Sequence, residues 1–156
     1  TNNGALIIDD YAHHPEEIDK TVTAIKKAYP NKRVIALFQP HTLSRTESLQ
    51  HEFAKAFKNA DEVIMLPIFT SKREGEVRYE ALYQSIEREM KDTGTSVVFL
   101  VDTRTHEELE FSPFFLDRNR APVLKYIGEH FDLGSNVIVT LGAGDIYRLA
   151  YDLVKK

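Results

Sequence analysis

An open α/β fold with a mostly parallel sheet of five or six strands is what this sequence predicts, on three observations. Short, continuous, β-branched apolar runs recur along the chain, helical periodicities lie between them, and the two kinds of segment alternate. Continuous apolarity marks strands covered on both faces, as in parallel sheets. Strict alternation implies right-handed crossovers with helices packed on those faces. With 156 residues, 42% of them hydrophobic and 28% charged, residues 1–156 are expected to form one compact domain.

The elements follow in order. "ALIID" (5–9) reads as the first strand, and "PEEIDKTVTAIKKAY" places Ile18, Val22, Ile25 and Tyr29 at helical spacing. "RVIALF" (33–38) is the second strand, followed by one helix over "TESLQHEFAKAFKNA" with Leu49, Phe53, Ala56 and Phe57 on its apolar face. "EVIML" (62–66) and the helix "YEALYQSIEREMK" form the third pair. "SVVFLV" (96–101) is the fourth strand, and "TRTHEELEFSPFFLDRN" (103–119) is read as an inserted loop or an extra edge strand. "RAPVLKYIGEHF" is the fourth helix, and "NVIVTL" (136–141) with "DIYRLAYDLVKK" completes the series. The chain has no internal repeat, linker or low-complexity tract.

Composition removes several classes of function. Cysteine is absent, which excludes disulfides, thiolate catalysis and cysteine-ligated zinc. A net charge of -4 gives no basic footprint for nucleic acid. No run approaches the roughly 18 apolar residues of a membrane span, so a soluble, cytoplasmic protein is expected. The chain opens without methionine on a strand-like segment and is expected to be a piece of a longer protein.

In an open parallel sheet, ligands bind beyond the carboxyl ends of the strands. The polar clusters obey this rule. Strand 1 runs into "DDYAHHP", strand 2 into "QPHTLSRT", strand 3 into "PIFTSKREGE" and strand 5 into "GAGD", so Asp10, His13, His41, Arg45 and residues 142–145 should share one rim. In the first turn, Pro15, Glu16 and Glu17 are explained by an ordinary helix start. Asp9, Asp10, Tyr11, His13 and His14 are not, because histidine is a poor N-cap and adjacent acids repel. A binding role is the stronger reading. Adjacent histidines rarely converge on one metal ion, so no metal site is assigned.

Ser44 and Glu47 fit a capping box that would make Arg45 the first helical residue. A cation there opposes the helix dipole, so a bound carboxylate or phosphate is the expected compensation; an exposed arginine paired with Glu47 or Glu52 is the plain alternative. His41, one residue past Pro40, is either a ligand contact or a spectator. "GAGD" lacks the third glycine of a dinucleotide fingerprint and follows the last strand, so it reads as a tight turn or a close backbone approach to a ligand, before a helix capped by Asp145. No phosphate-cradling P-loop occurs in the chain. Lys72 and Arg73 read as a solvated surface. Two other classes fit these residues: a stand-alone nucleotide or anion binding module, and a metal-dependent hydrolase using Asp10, His13, His14 and His41.

"IIDDYAHHPEEI", "FQPHTLSRT" and "TLGAGDIYRLA" together resemble the C-terminal domain of the Mur ligases, most specifically the alanine-adding branch of that family. The resemblance covers most of the chain. The tripeptide-recycling branch shares a double-histidine loop but differs in the second motif. The resemblance implies a three-layer Rossmann-like domain, the third of three in an ATP-dependent ligase acting on UDP-N-acetylmuramate and L-alanine. It implies ATP and Mg2+ held mainly by a central domain outside this chain, and the N-terminal and central domains as partners. It places Asp10, Tyr11 and His13 toward the nucleotide, His13 and Arg45 at the chemistry, and His41, Arg45, Gly142, Ala143, Gly144, Asp145 and Ile146 toward the substrate. Thr42 stands where some members carry a second arginine.

Overall fold

The computed structural model describes residues 6–69, 79–99 and 115–155. Five strands, β1 (Leu6–Asp10), β2 (Arg33–Phe38), β3 (Glu62–Met65), β4 (Ser96–Phe99) and β5 (Asn136–Leu141), form one sheet in the order β1-β5-β2-β3-β4. Every pairing is parallel. The helices are α1 (Pro15–Ala28), α2 (Leu43–Ser48), α3 (Gln50–Ala56), α4 (Tyr79–Asp92), α5 (Phe115–His130) and α6 (Tyr147–Lys155).

Strand alternation divides the core into two layers. On one face Val34, Ala36 and Phe38 of β2 pack with Ile18 and Val22 of α1, Phe53 of α3, and Ile86 and Met90 of α4. On the other, Ile35 and Leu37 meet Ile127 of α5 and Leu149 and Leu153 of α6. Both faces of the central strands are therefore covered, which is why their sequences are apolar without a break.

Register decides where the turns fall. Asp10 is level with Leu141, Leu141 with Phe38, Phe38 with Met65, and Met65 with Phe99. β1, β2, β3 and β5 end on one row, level with Phe99 of β4, so the turns that follow those four strands begin at a common edge.

Several boundaries differ from the sequence reading. Asp10 is the last residue of β1, and Tyr29 is the exposed C-cap of α1. The single helix expected over 46–60 is two, α2 and α3, parted at Leu49. Ser48 Oγ donates to the Arg45 carbonyl at 3.2 Å, a side-chain bond of the kind that bends helices at the turn it joins. Helix α5 begins at Phe115, so the end of the 103–119 segment is helical; its remainder to 114, the fourth strand beyond Phe99, and Lys72 and Arg73 lie outside the described residues.

Candidate functional site

The first turn is held by its own acids. Asp10 Oδ1 accepts the Ala12 N–H at 2.8 Å and Oδ2 accepts the Thr21 hydroxyl at 3.0 Å, while Ala12 is buried. Asp10 thus pins the loop to α1. His14 occupies the N-cap of α1, and the amides of both His13 and His14 donate to Glu17 Oε2 at 3.2 Å. Those two N–H groups, with a smaller attraction from the imidazoles, hold the Glu17 carboxyl below the usual glutamate range. A carboxylate returning from the third helical position does the capping that histidine itself does poorly.

With its backbone fixed, the loop presents its rings. Tyr11 is 69% exposed and meets the half-buried His13 edge-on, with ring centroids 5.3 Å apart. His13 in turn faces His41 at 6.3 Å, and His41 stacks on Phe69 at 5.5 Å with 13° between planes. A parallel bridge between His41 and Phe69 fixes that stack: the Phe69 N–H donates to Pro40 O at 2.7 Å and the Thr42 N–H to Phe69 O at 2.9 Å.

Helix α2 starts earlier than its sequence suggests. Its N-cap is Thr42, without a side-chain cap bond, so Ser44 lies inside the helix and Arg45 is its third residue. Thr42 takes φ 63°, a region costly for a β-branched residue, by roughly 1–3 kcal/mol. Its carbonyl accepts both the Thr46 N–H at 3.2 Å and the Thr46 hydroxyl at 2.7 Å, which hold it there. With six residues in α2, the expected dipole argument for Arg45 loses its basis. Geometry replaces it: the half-buried Arg45 lines an open cleft of about 510 Å³ with His14, Thr42, Ser44, Ser48 and Leu49, and makes no ion pair with Glu47, Glu52 or any other described residue. The first and second turns therefore share one cleft.

The last turn closes the rim. The Gly142 N–H donates to Asp10 O at 3.4 Å, and Gly142 has φ +151°. A Cβ on Gly144 would stand 2.6 Å from Gln39 Oε1 and 3.2 Å from a Phe69 ring carbon, so glycine lets this turn lie against the second and third loops without displacing the Gln39 amide. Ala143 is half-buried beside it. Ile146, expected to face substrate, is 1% exposed and packs in the α5/α6 layer, supporting the turn from beneath. Asp145 keeps its carboxylate oxygens buried just ahead of α6, which begins at Tyr147, and its carbonyl accepts the Arg148 N–H at 3.1 Å.

Sequence reasoning placed His13, His41, Arg45 and Gly144 on one rim, and the structure brings them there. It missed Gln39 and Phe69, while His14, which the sequence reading counted in the first turn's binding loop, lines the cleft. Continuing the alternation of Ile35 and Leu37 by one step would have put Gln39 inside. Among the described residues no three histidine or acid side chains converge as a metal site. No helix among them is long and apolar enough to cross a membrane.

A doubly covered parallel sheet with polar turns gathered beyond its carboxyl ends is the architecture in which open α/β domains hold ligands. Residues 1–109 match the family model "Mur ligase, glutamate ligase domain", and the chain belongs to that family. It is 38% identical to UDP-N-acetylmuramate--L-alanine ligase of Desulfitobacterium hafniense over 153 residues, 98% of this chain and 30% of that protein. The protein of the same name from Lacticaseibacillus paracasei is 35% identical, over 96% of this chain and 28% of its own length. The chain therefore spans about three tenths of these relatives. Among solved structures, a murein peptide ligase from Psychrobacter arcticus has a TM-score of 0.69 at 20% identity, over 98% of this chain and 27% of that one. UDP-N-acetylmuramate-alanine ligase from Thermotoga maritima gives 0.59 at 24% identity, over 96% and 26%. At these identities the structural likeness speaks for the fold.

Proposed function

We propose that this chain is the C-terminal domain of an ATP-dependent ligase that joins L-alanine to UDP-N-acetylmuramate in peptidoglycan precursor synthesis. The observation that carries this reading is the shared rim, where His13, His41, Arg45 and Gly144 come from three turns separated in sequence and meet at one edge. Relatives aligned over nearly the whole chain bear the name of that ligase.

In such a reaction the substrate carboxylate is activated as an acyl-phosphate; the amino group of the amino acid attacks the acyl carbon, loses a proton and expels phosphate, leaving an amide. Little of this requires covalent help from the protein, so positioning and charge neutralisation carry most of the catalysis. Arg45 supplies a fixed fork of donors for the carboxylate of the incoming amino acid or for a phosphate oxygen. His13 and His41 are its neighbours toward the reacting groups. Tyr11, with Asp10 holding the loop beneath it, faces the nucleotide. Residues 142–145, small in Gly142, Ala143 and Gly144, let the amino acid approach backbone directly and suit a side chain as small as that of alanine. Small-pocket selection of this kind is modest, a few kcal/mol at most.

The sequence carries no P-loop. Both the metal and the triphosphate fall to the central domain in this reading, and closure of this domain over that one completes the site. A nucleotide-linked sugar and ATP as substrates set the reaction in the cytoplasm.

The test is ADP release by the complete ligase with UDP-N-acetylmuramate and L-alanine, with and without this domain. Release should require both substrates and this domain, and the isolated chain should be inert. Release that persists without L-alanine, or without residues 1–156, overturns the proposal.

A further inference from the structure

The residue least explained by the fold is Gln39. Its backbone extends β2, donating to Leu141 O at 3.0 Å, and its side chain lies against Gly142 and Gly144 of the last turn. It is 1% exposed, and neither Oε1 nor Nε2 has a hydrogen-bond partner among the described residues. Burying a primary amide without partners carries a desolvation cost, and methionine would fill a similar volume without it. Packing therefore does not account for the amide.

Its surroundings do point somewhere. A Cβ on Gly144 would stand 2.6 Å from Gln39 Oε1, and a Cβ on Gly142 would meet Gln39 O at 2.9 Å and Gln39 Cβ at 3.4 Å. Both glycines of the 142–145 turn thus lie directly on Gln39. An amide offers one donor group and one acceptor, the complement of a peptide group. The peptide groups of this turn are what it can reach after a small shift.

We infer that Gln39 is a positioning residue for the incoming amino acid, acting through the 142–145 turn; the inference rests on the ligase reading above. When the amino acid settles against Gly144, the turn moves onto the Gln39 amide and both of its polar groups gain partners. Bonds made only in the liganded arrangement favour that arrangement, and so strengthen amino-acid binding without stabilising the free enzyme.

The test uses the complete ligase carrying Gln39→Met, with melting temperature and three separate KM values as readouts. The melting temperature should stay level or rise, because a buried amide without partners has been removed. KM for L-alanine should rise about three- to tenfold, the value of one or two lost neutral hydrogen bonds, while KM for ATP and for UDP-N-acetylmuramate should stay within about twofold. An unchanged KM for L-alanine, an equal rise in all three, or a drop in melting temperature marks Gln39 as a packing residue and overturns the inference. Wild-type enzyme without alanine-dependent ADP release overturns the ligase reading itself, a different result in the same assay.

Discussion

The two ends of the sheet use similar polar residues in opposite ways. At the amino end, where β2, β3 and β5 begin, charges are spent on one another. Lys26 pairs with Asp61 at 2.6 Å, the same Asp61 oxygen accepts the Val34 N–H at 2.7 Å, and Arg33 reaches Glu62 at 3.2 Å. Asp132 accepts both the Gly134 N–H and the Ser135 hydroxyl ahead of β5. At the carboxyl end, among the described residues, Arg45 faces an open cleft without an ion pair, the Gln39 amide is buried without partners, and Thr42 is held at φ 63°. The amino rim is closed mostly by its own charges, with Asn136 Oδ1 the buried exception among the described residues, while the carboxyl rim gathers an amide, a cation and a backbone held at positive φ. Strain and unmet polar groups in one place are what a ligand site requires, because a ligand can then supply the missing partners.

The contrast can be broken by substitution. The largest effect should come from Gly142→Ala, whose Cβ would stand 2.9 Å from the Gln39 carbonyl at a backbone angle disfavoured for side chains. We expect a loss of roughly 2–3 kcal/mol in chemical denaturation; a neutral result would mean that the turn is loosely packed and the rim less ordered than described.

Next is Asp61→Asn at the amino end, expected to cost about 1–2 kcal/mol by unpairing Lys26. Burial, the largest single influence on Asp61, raises its pKa, but Lys26, the Val34 N–H and Arg33 together outweigh it and hold the carboxyl below the usual aspartate range. Its contribution is therefore complete above that range and lost as pH falls through the lowered folded value. The gap between wild type and Asp61→Asn should shrink on acidification; a gap that widens contradicts the pairing.

Thr42→Gly should do what glycine rarely does and stabilise, by about 0.5–1 kcal/mol, since relief at positive φ exceeds the entropy glycine adds to the unfolded chain. A clear loss of stability would show that Thr42 is unstrained. The smallest effect is local. The amide protons of His13 and His14 should titrate with Glu17 in NMR spectra, with a midpoint below the ordinary glutamate range, and lose their shifts as pH falls through it. A midpoint at or above that range would detach Glu17 from the loop.

Much of this was legible in sequence, for a physical reason. Strands buried on both faces must be apolar throughout, so β2, β3 and β5 announce themselves, and the polar residues that end them can only lie at a rim. What sequence hid was local competition. The S-x-x-E pattern at Ser44 pointed to a helix start, but Thr46 bonds twice to the Thr42 carbonyl and begins the helix two residues earlier. The Ser48 hydroxyl then bonds back to Arg45 where one continuous helix was expected. Gln39 and Phe69 escaped notice because their significance comes from Gly144, far along the chain, and no local pattern encodes such a contact.

The division of labour between the two rims is tested most directly by a crossed pair of variants in the complete ligase, Arg45→Ala and Asp61→Asn, each measured for melting temperature and for kcat/KM with L-alanine. Arg45→Ala should leave the melting temperature within about a degree or two while lowering kcat/KM roughly ten- to a hundredfold, the loss of a charge-assisted contact. Asp61→Asn should lower the melting temperature and leave kcat/KM within about twofold. If Arg45→Ala instead destabilises the protein while catalysis is retained, the carboxyl rim is built for the fold and the account is wrong.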